Sequence, residues 1–328
     1  MNAMKTYPIL LGWLCAIICG CTTAPLAETP VAEMPVKEVP VAETPVEDAT
    51  PPAAATPALP EQLFQLSQDA RCRQVVTTCI VAGQPLRVLL DTGATHTVFH
   101  SESAKQLKQI TWMDTSHIQF SGNATQRPDI FIAPVLLGPG DFDPRPLLSI
   151  DLSGVRSMMA EPIDGIVGMD LLTPLPLTLD FNANEFYWGI PENPAALKLT
   201  PLEGNRDPNG RLFISVKSGE KTFPLLLDTG SSVTRVYETD WAPGRGKEIS
   251  AQISDVNAAA HIKAFEGNRG ALQLNPVVET RAFTPLMANA GEPSMLGVDA
   301  LRGLILIHLP SGDGSFGQFL IAKPTPAP

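Results

Sequence analysis

The chain has 328 residues, 44% of them hydrophobic, which is enough for two domains of ordinary size with a sizeable core. Its net charge of -11 argues against nucleic acid, and against anionic lipid held by basic patches. Much of the acidity and of the proline content falls in one N-terminal stretch.

Residues 1–20 read as an export signal: Lys5 supplies the positive end, and an apolar run follows from Pro8 to Ile18. The run is shorter than the roughly 20 apolar residues that span a bilayer. It ends in Ile18-Cys19-Gly20-Cys21, which resembles a bacterial lipobox. The resemblance implies cleavage before Cys21 and its acylation. Thr22 follows in place of an inner-membrane-retaining aspartate, so sorting to the outer membrane is expected. An ordinary signal peptide cut near the same place is the alternative.

From 21 to 60 the chain reads as a linker. Prolines recur at Pro25, Pro30, Pro35, Pro40 and Pro45, with Glu28, Glu33, Glu38 and Glu43 between them. Proline at every fifth position forbids helix, and the glutamates repel one another. An extended polyproline-like arm results, and its roughly 38 residues would reach on the order of 100 Å. A disordered tail with no length requirement is the alternative. Cys15 and Cys19 leave with the signal, so Cys72 and Cys79 are the cysteines of the folded part. An even pair in an oxidising compartment predicts a disulfide, the alternative being two buried free thiols. No histidine lies near them at ligand spacing, so no metal is expected there.

The first folded unit, 61–192, opens with a short helix predicted over Gln62 to Gln68. Strands are predicted at Val75 to Val81 and Leu86 to Leu90, joined by a turn at Gly83-Gln84-Pro85. The second strand delivers Leu89-Leu90-Asp91-Thr92-Gly93-Ala94. Strand returns at Thr97 to Phe99, and Ser101 is expected to cap a short helix to Leu107. Further strands are predicted at His117 to Phe120, Ile130 to Leu137 and Pro146 to Ile150. A buried strand then enters Gly165-Ile166-Val167-Gly168-Met169-Asp170-Leu171. A hairpin, Leu177 to Phe181 and Glu185 to Trp188, turns at Asn182-Ala183-Asn184, and Pro191 to Pro194 marks the boundary.

The second unit, 193–328, repeats that order. Strands at Leu212 to Val216 and Thr222 to Leu227 flank a turn at Ser218-Gly219-Glu220, and the second ends on Asp228-Thr229-Gly230-Ser231. Strands at Ile249 to Ile253 and His261 to Phe265 precede Met295-Leu296-Gly297-Val298-Asp299-Ala300-Leu301. Leu304 to Leu309 and Gly317 to Ile321 close the chain. The two aspartate turns lie 137 residues apart, and each is followed by its glycine motif, 77 residues on in the first unit and 69 in the second. The repeat therefore runs through both units.

Each unit resembles a retropepsin-type aspartic peptidase domain, on the apolar-apolar-Asp-Thr-Gly-Ala/Ser turn and the later apolar-apolar-Gly-x-Asp-x-Leu. The resemblance covers roughly residues 73 to 322. It implies an all-β fold of two tandem lobes forming a pseudo-dimer, with Asp91 and Asp228 as a catalytic dyad. Thr92 and Thr229 would cross-brace the turns, and Gly93 and Gly230 would be the turn glycines. Two close carboxylates cannot both ionise, so one keeps its proton. The charged one takes a proton from a shared water and the neutral one donates to the scissile carbonyl oxygen. The Ser231 hydroxyl, which Ala94 cannot match, is expected to favour charge on Asp228, making Asp228 the base and Asp91 the acid.

Two departures from the family are legible. Retroviral members follow the second glycine with arginine, where this chain has Met169 and Val298, so an ion pair near the dyad is expected to be missing. The places matching the family's flaps, Ser121 to Arg127 and Asp255 to Ala260, are only partly glycine-rich. Asp170 and Asp299 read as hydrogen-bond partners of the turns. His96 and His100 read as surface histidines, and Phe186 and Trp188 as packing residues.

The reading is a monomeric, lipid-anchored envelope endopeptidase. It would act on extended peptide or protein substrates, with no cofactor and no metal. Two alternatives stay open: a non-catalytic lipoprotein that binds peptides in the same cleft, and an enzyme that pairs lobes from two chains.

Overall fold

The computed structural model describes residues 8–10, 61–113, 128–237, 248–254, 259–266, 271–275, 278–281, 285–287, 293–312 and 315–323. Cys21, the linker, the strand predicted at His117 to Phe120, and residues 121–127 and 255–258 of the two flap places lie outside the described residues. The fold is all-β, with short helices between strands. Among the described residues no helix is long and apolar enough to cross a membrane.

In the first half, β1 (Val75–Val81) and β2 (Gln84–Leu90) form a hairpin. The chain turns at Ala82 and Gly83, both at positive φ, so Gln84 and Pro85 belong to the strand and not to the turn. β3 (Val98–His100) leads into α1 (Ser101–Gln106), and His100 rather than Ser101 stands at the cap. β4 (Asp129–Leu137) and β5 (Gly140–Ile150) form a long hairpin. α2 (Ser153–Met158), which the residue pattern does not announce, precedes β6 (Gly165–Val167) and α3 (Met169–Leu172).

The strand order β1-β2-β6-β3-β5-β4 closes on itself where β4 pairs back to β1, Ile80 opposite Leu136. Closure removes the sheet edges. It also explains why β1, rich in valine and threonine, is buried on nearly every residue: one face lines the barrel interior and the other meets the rest of the molecule. The helix predicted over Gln62 to Gln68 is a single 3-10 turn at Glu61–Phe64, followed by a short strand at Ser67–Gln68.

β7 (Leu177–Asp180) and β8 (Glu185–Trp188) form the predicted hairpin, with Asn184 left-handed at its turn. The second half then repeats the first. β9 (Leu212–Ser218) and β10 (Lys221–Leu227) pair as β1 and β2 do, and β10 runs parallel to β11 (Met295–Leu296) as β2 does to β6. α4 (Val298–Leu301) follows β11 as α3 follows β6. Lys217 pairs with Gln273 at the position equivalent to the Ile80–Leu136 closure.

Two features join the halves. β7 pairs antiparallel with β12 (Ile305–Leu309), which pairs with β13 (Gln318–Ala322), so one five-stranded sheet holds strands of both. Its central register is self-complementary, with Leu177 opposite His308 and Asp180 opposite Ile305. One hydrophobic cluster runs without a break from Val75, Leu90 and Leu179 to Leu227, Leu306 and Ile321. Burying such residues, at about 25 cal/mol per Å² of apolar surface, helps hold the halves together.

The predicted disulfide is not formed. Cys72 and Cys79 are both free and buried, in different clusters. Cys72 lies in the turn before β1, while a rise of about 3.3 Å per residue carries Cys79 about 13 Å along the strand from Val75. The Cys72 thiol donates instead to Asp69 at 3.2 Å, and burial pushes it up to about 12.

Candidate active site

Each aspartate turn is the end of a buried strand. Leu89-Leu90 and Leu226-Leu227 are almost wholly buried, so Asp91 and Asp228 enter the middle of the molecule at 1% and 0% exposure. The backbone carries on from the sheet: Asp91 N–H donates to Val167 O, and Asp228 N–H to Leu296 O, both at 3.0 Å.

The two turns are pinned by reciprocal bonds. Thr92 N–H donates to Thr229 Oγ1, and Thr229 N–H to Thr92 Oγ1, both at 3.1 Å. Thr92 Oγ1 donates to Leu227 O and Thr229 Oγ1 to Leu90 O, both at 2.8 Å. Each hydroxyl thus uses its donor and an acceptor on the opposite half, and none of these buried groups is left unmatched. The close approach requires glycine. A Cβ added at Gly93 would lie 2.6 Å from the Asp228 carboxyl carbon, and one at Gly230 would strike the Asp91 carboxyl. Each carboxylate therefore sits over the other turn's glycine.

Behind each turn stands its glycine motif. Asp170 accepts from Thr97 N–H at 3.0 Å and Thr97 Oγ1 at 2.8 Å, while Thr97 Oγ1 accepts from Gly168 N–H. In the second half Asp299 accepts from Thr234 N–H and Thr234 Oγ1 at 2.6 and 2.7 Å, and Thr234 Oγ1 accepts from Gly297 N–H. These aspartates are turn supports, as the residue pattern predicts.

The carboxylates are not equivalent. Asp91 Oδ1 accepts the N–H groups of Gly93 and Ala94 at 2.8 and 3.0 Å. Neither Asp228 oxygen has a well-formed hydrogen bond. Burial raises both carboxyls above the usual carboxylate range. Asp228 rises much further, because the charge of Asp91 adds to its desolvation, while Arg235 and the nearby Gly230 backbone oppose the rise. Both the hydrogen bonds and the direction of the shifts favour charge on Asp91 and the shared proton on Asp228. This reverses the expectation drawn from Ser231, whose hydroxyl donates to Val233 O at 2.8 Å.

Three residues at the site are not visible in the motifs. Gln74, fully buried, donates through Nε2 to Gly230 O, and so holds the second turn from the first half. Its counterpart one repeat on, Arg211, is buried, is bonded to Asp207 at 2.6 Å, and acts on Asp91. Arg235, at 0% exposure, acts on Asp228. A guanidinium near the dyad is thus present, supplied from a position other than Met169 or Val298. Setting the halves side by side would have found it, since Arg235 falls opposite Val98.

His100 is not on the surface. Its ring is buried and accepts Leu152 N–H at 3.0 Å. His96 is half-buried and bonded to Thr95 at 2.8 Å. Among the described residues no group of histidine, cysteine or acidic side chains could hold a metal ion.

A family model described as aspartyl protease matches residues 76–171. The match spans the first aspartate turn and its supporting Gly168 and Asp170. It identifies that segment as aspartic-protease-like and supports a general protease function. Comparison with curated proteins gives no match.

Proposed function

We propose that the protein is an aspartic endopeptidase whose two lobes, 61–192 and 193–328, each contribute one aspartate to a single site. The observation that carries this reading is the seating of Asp91 and Asp228 over each other's turn glycines, locked by the reciprocal threonine bonds. Such a pair holds one proton between two carboxylates. Asp91, held charged by two backbone N–H groups, takes a proton from water as the water oxygen adds to the scissile carbonyl carbon. Asp228 gives its proton to the carbonyl oxygen. Collapse of the tetrahedral intermediate then breaks the C–N bond. The proton on Asp91 passes to the leaving nitrogen, and Asp228 recovers one from the hydroxyl that becomes the new carboxyl. The substrate would be an extended peptide strand, bound through main-chain hydrogen bonds with pockets for alternate side chains.

The remaining parts fit an envelope enzyme. Acylation at Cys21 would anchor the chain in the outer membrane, facing the periplasm, and the proline-glutamate linker would hold the catalytic body off the surface. The test is incubation of the soluble body with an unbiased peptide library, with and without a statine-type inhibitor. Inhibitable cleavage at a rate per molecule that does not change with protein concentration supports a one-chain site. Peptide binding without cleavage, unchanged by Asp91→Asn or Asp228→Asn, would replace the enzyme with a binder.

A further inference from the structure

The face of the sheet from which the dyad emerges differs between the halves at one decisive position. Side chains alternate along a strand, so Leu226 leaves β10 on the same side as Asp228. Met295 stands beside Leu226 in parallel register, and Arg235 bridges antiparallel to Met295. All three side chains therefore share the Asp228 face. In the first half Leu89, Ile166 and Val98 stand in the same relation to Asp91. One aspartate thus rises beside leucine, isoleucine and valine, and the other beside leucine, methionine and a guanidinium.

Arg235 is fixed there. Its backbone exchanges hydrogen bonds with Met295, at 2.9 Å from Arg235 N–H and 2.8 Å to Arg235 O, and its guanidinium lies against Met295 Sδ. It is fully buried, where a charge is screened little by salt and acts strongly on its neighbours.

We propose that Arg235 is a positioning residue for charge: it stabilises the singly ionised state of the Asp91–Asp228 pair and sets the pH range over which that state exists. The guanidinium groups acting on the pair include Arg235 on Asp228 and Arg211 on Asp91, the latter tied to Asp207. Without Arg235 the pair would hold its protons to higher pH. A cation buried on the same face as a carboxyl favours its charged form. Removing it should therefore move both steps of the pair upward by on the order of one pH unit.

The inference rests on the peptidase reading only for its kinetic readout, so two readouts are used. Carboxyl ¹³C shifts of aspartate-labelled full-length protein follow the titration of the pair directly, and the pH profile of kcat/KM follows it through turnover. Arg235→Met removes the charge at similar length. Arg235→Gln is the second neutral variant if the first does not fold, and Arg235→Lys keeps a cation. The expected result is an upward shift of both steps in the neutral variants, with Arg235→Lys close to wild type. A titration unchanged in a folded neutral variant overturns the proposal. So does an Arg235→Lys shift as large as that of Arg235→Met, which would make shape and not charge the cause. Wild-type protein that cleaves no peptide while its carboxyl titration still responds would leave this inference standing and remove the peptidase reading.

Discussion

Asp91 accepts two backbone N–H groups of its own turn, whereas neither oxygen of Asp228 accepts a well-formed bond. Yet the turns that carry them are matched bond for bond, down to 3.1 Å for both reciprocal threonine contacts. The backbone of the two halves is duplicated, and the electrostatics are not. A homodimer of one such unit would have to present the same side chains twice. A chain that carries both units can place Ala94 against Ser231, Val98 against Arg235 and Gln74 against Arg211. The difference gives the two carboxyls unlike surroundings, which favour charge on Asp91 over charge on Asp228.

Substitution of the aspartates tests that asymmetry most severely. Either Asp91→Asn or Asp228→Asn should reduce kcat/KM by roughly 10²–10⁴, the usual worth of a positioned acid or base. The two should differ in pH dependence. Asp228→Asn leaves Asp91 to titrate beside a neutral neighbour, so its residual activity should hold up further into acid. Asp91→Asn leaves Asp228 without the neighbouring charge that raises it, so that carboxyl should ionise at lower pH than in the pair. Identical residual profiles would mean that the halves share the proton evenly.

The bracing should show the opposite behaviour. Thr92→Val removes the donor to Leu227 O and the acceptor for Thr229 N–H, and Thr229→Val removes the mirror pair. Two buried polar groups lose their partners in each case, at roughly 1–3 kcal/mol apiece. Chemical unfolding should show losses of about 2–6 kcal/mol, equal between the variants to within about 1 kcal/mol. A large inequality would mean that one half carries the joint.

How much of this could be read from the residues follows the same division. The duplicated backbone was legible because it is written in local chemistry. Leucine pairs running into Asp-Thr-Gly, valine-rich strands and the Gly-x-Asp-x-Leu motif each depend on near neighbours, and β1 falls on Val75–Val81 as predicted. What was not legible depends on partners far along the chain. The bond from Gln74 to Gly230 crosses 156 residues, and no spacing rule encodes it. The buried ring of His100 accepts the N–H of Leu152, 52 residues on. Cys72 and Cys79 looked like a pair because they are close in sequence, but an extended strand begins between them and carries them apart. Ser231 looked like a partner for Asp228 because it is close in sequence, and it bonds elsewhere.

The supports behind the turns extend the comparison to stability. Asp299 is raised to about 6, first by burial, and its Oδ2 has no partner, whereas both oxygens of the more exposed Asp170 are bonded to Thr97. A carboxyl raised in the folded state binds its proton there more tightly than in the unfolded chain. Its contribution is therefore complete at low pH and is lost as pH rises from about 4 to about 6. After discounting for its partial exposure, the loss is on the order of 2 kcal/mol. The stability difference between wild type and Asp299→Asn should fall by about that amount between pH 4 and pH 7. The corresponding Asp170→Asn difference should change less. Equal slopes from thermal unfolding across that range would erase this distinction between the halves.

The smallest effect is expected at Ser231, and its smallness is informative. If the hydroxyl set the charge on Asp228, Ser231→Ala would make the fourth position of both turns alanine and should bring the two carboxyls closer to equivalence. The hydroxyl instead donates to Val233 O, two residues on, in a bond that belongs to the turn. Ser231→Ala should therefore leave the titration of the pair within about 0.3 pH unit of wild type, and lower stability by roughly 1 kcal/mol for the lost hydrogen bond. Carboxyl ¹³C titration and chemical unfolding of the one variant check both numbers. A shift near one pH unit would return the asymmetry to the residue beside the aspartate and take it away from the guanidinium bridged to Met295.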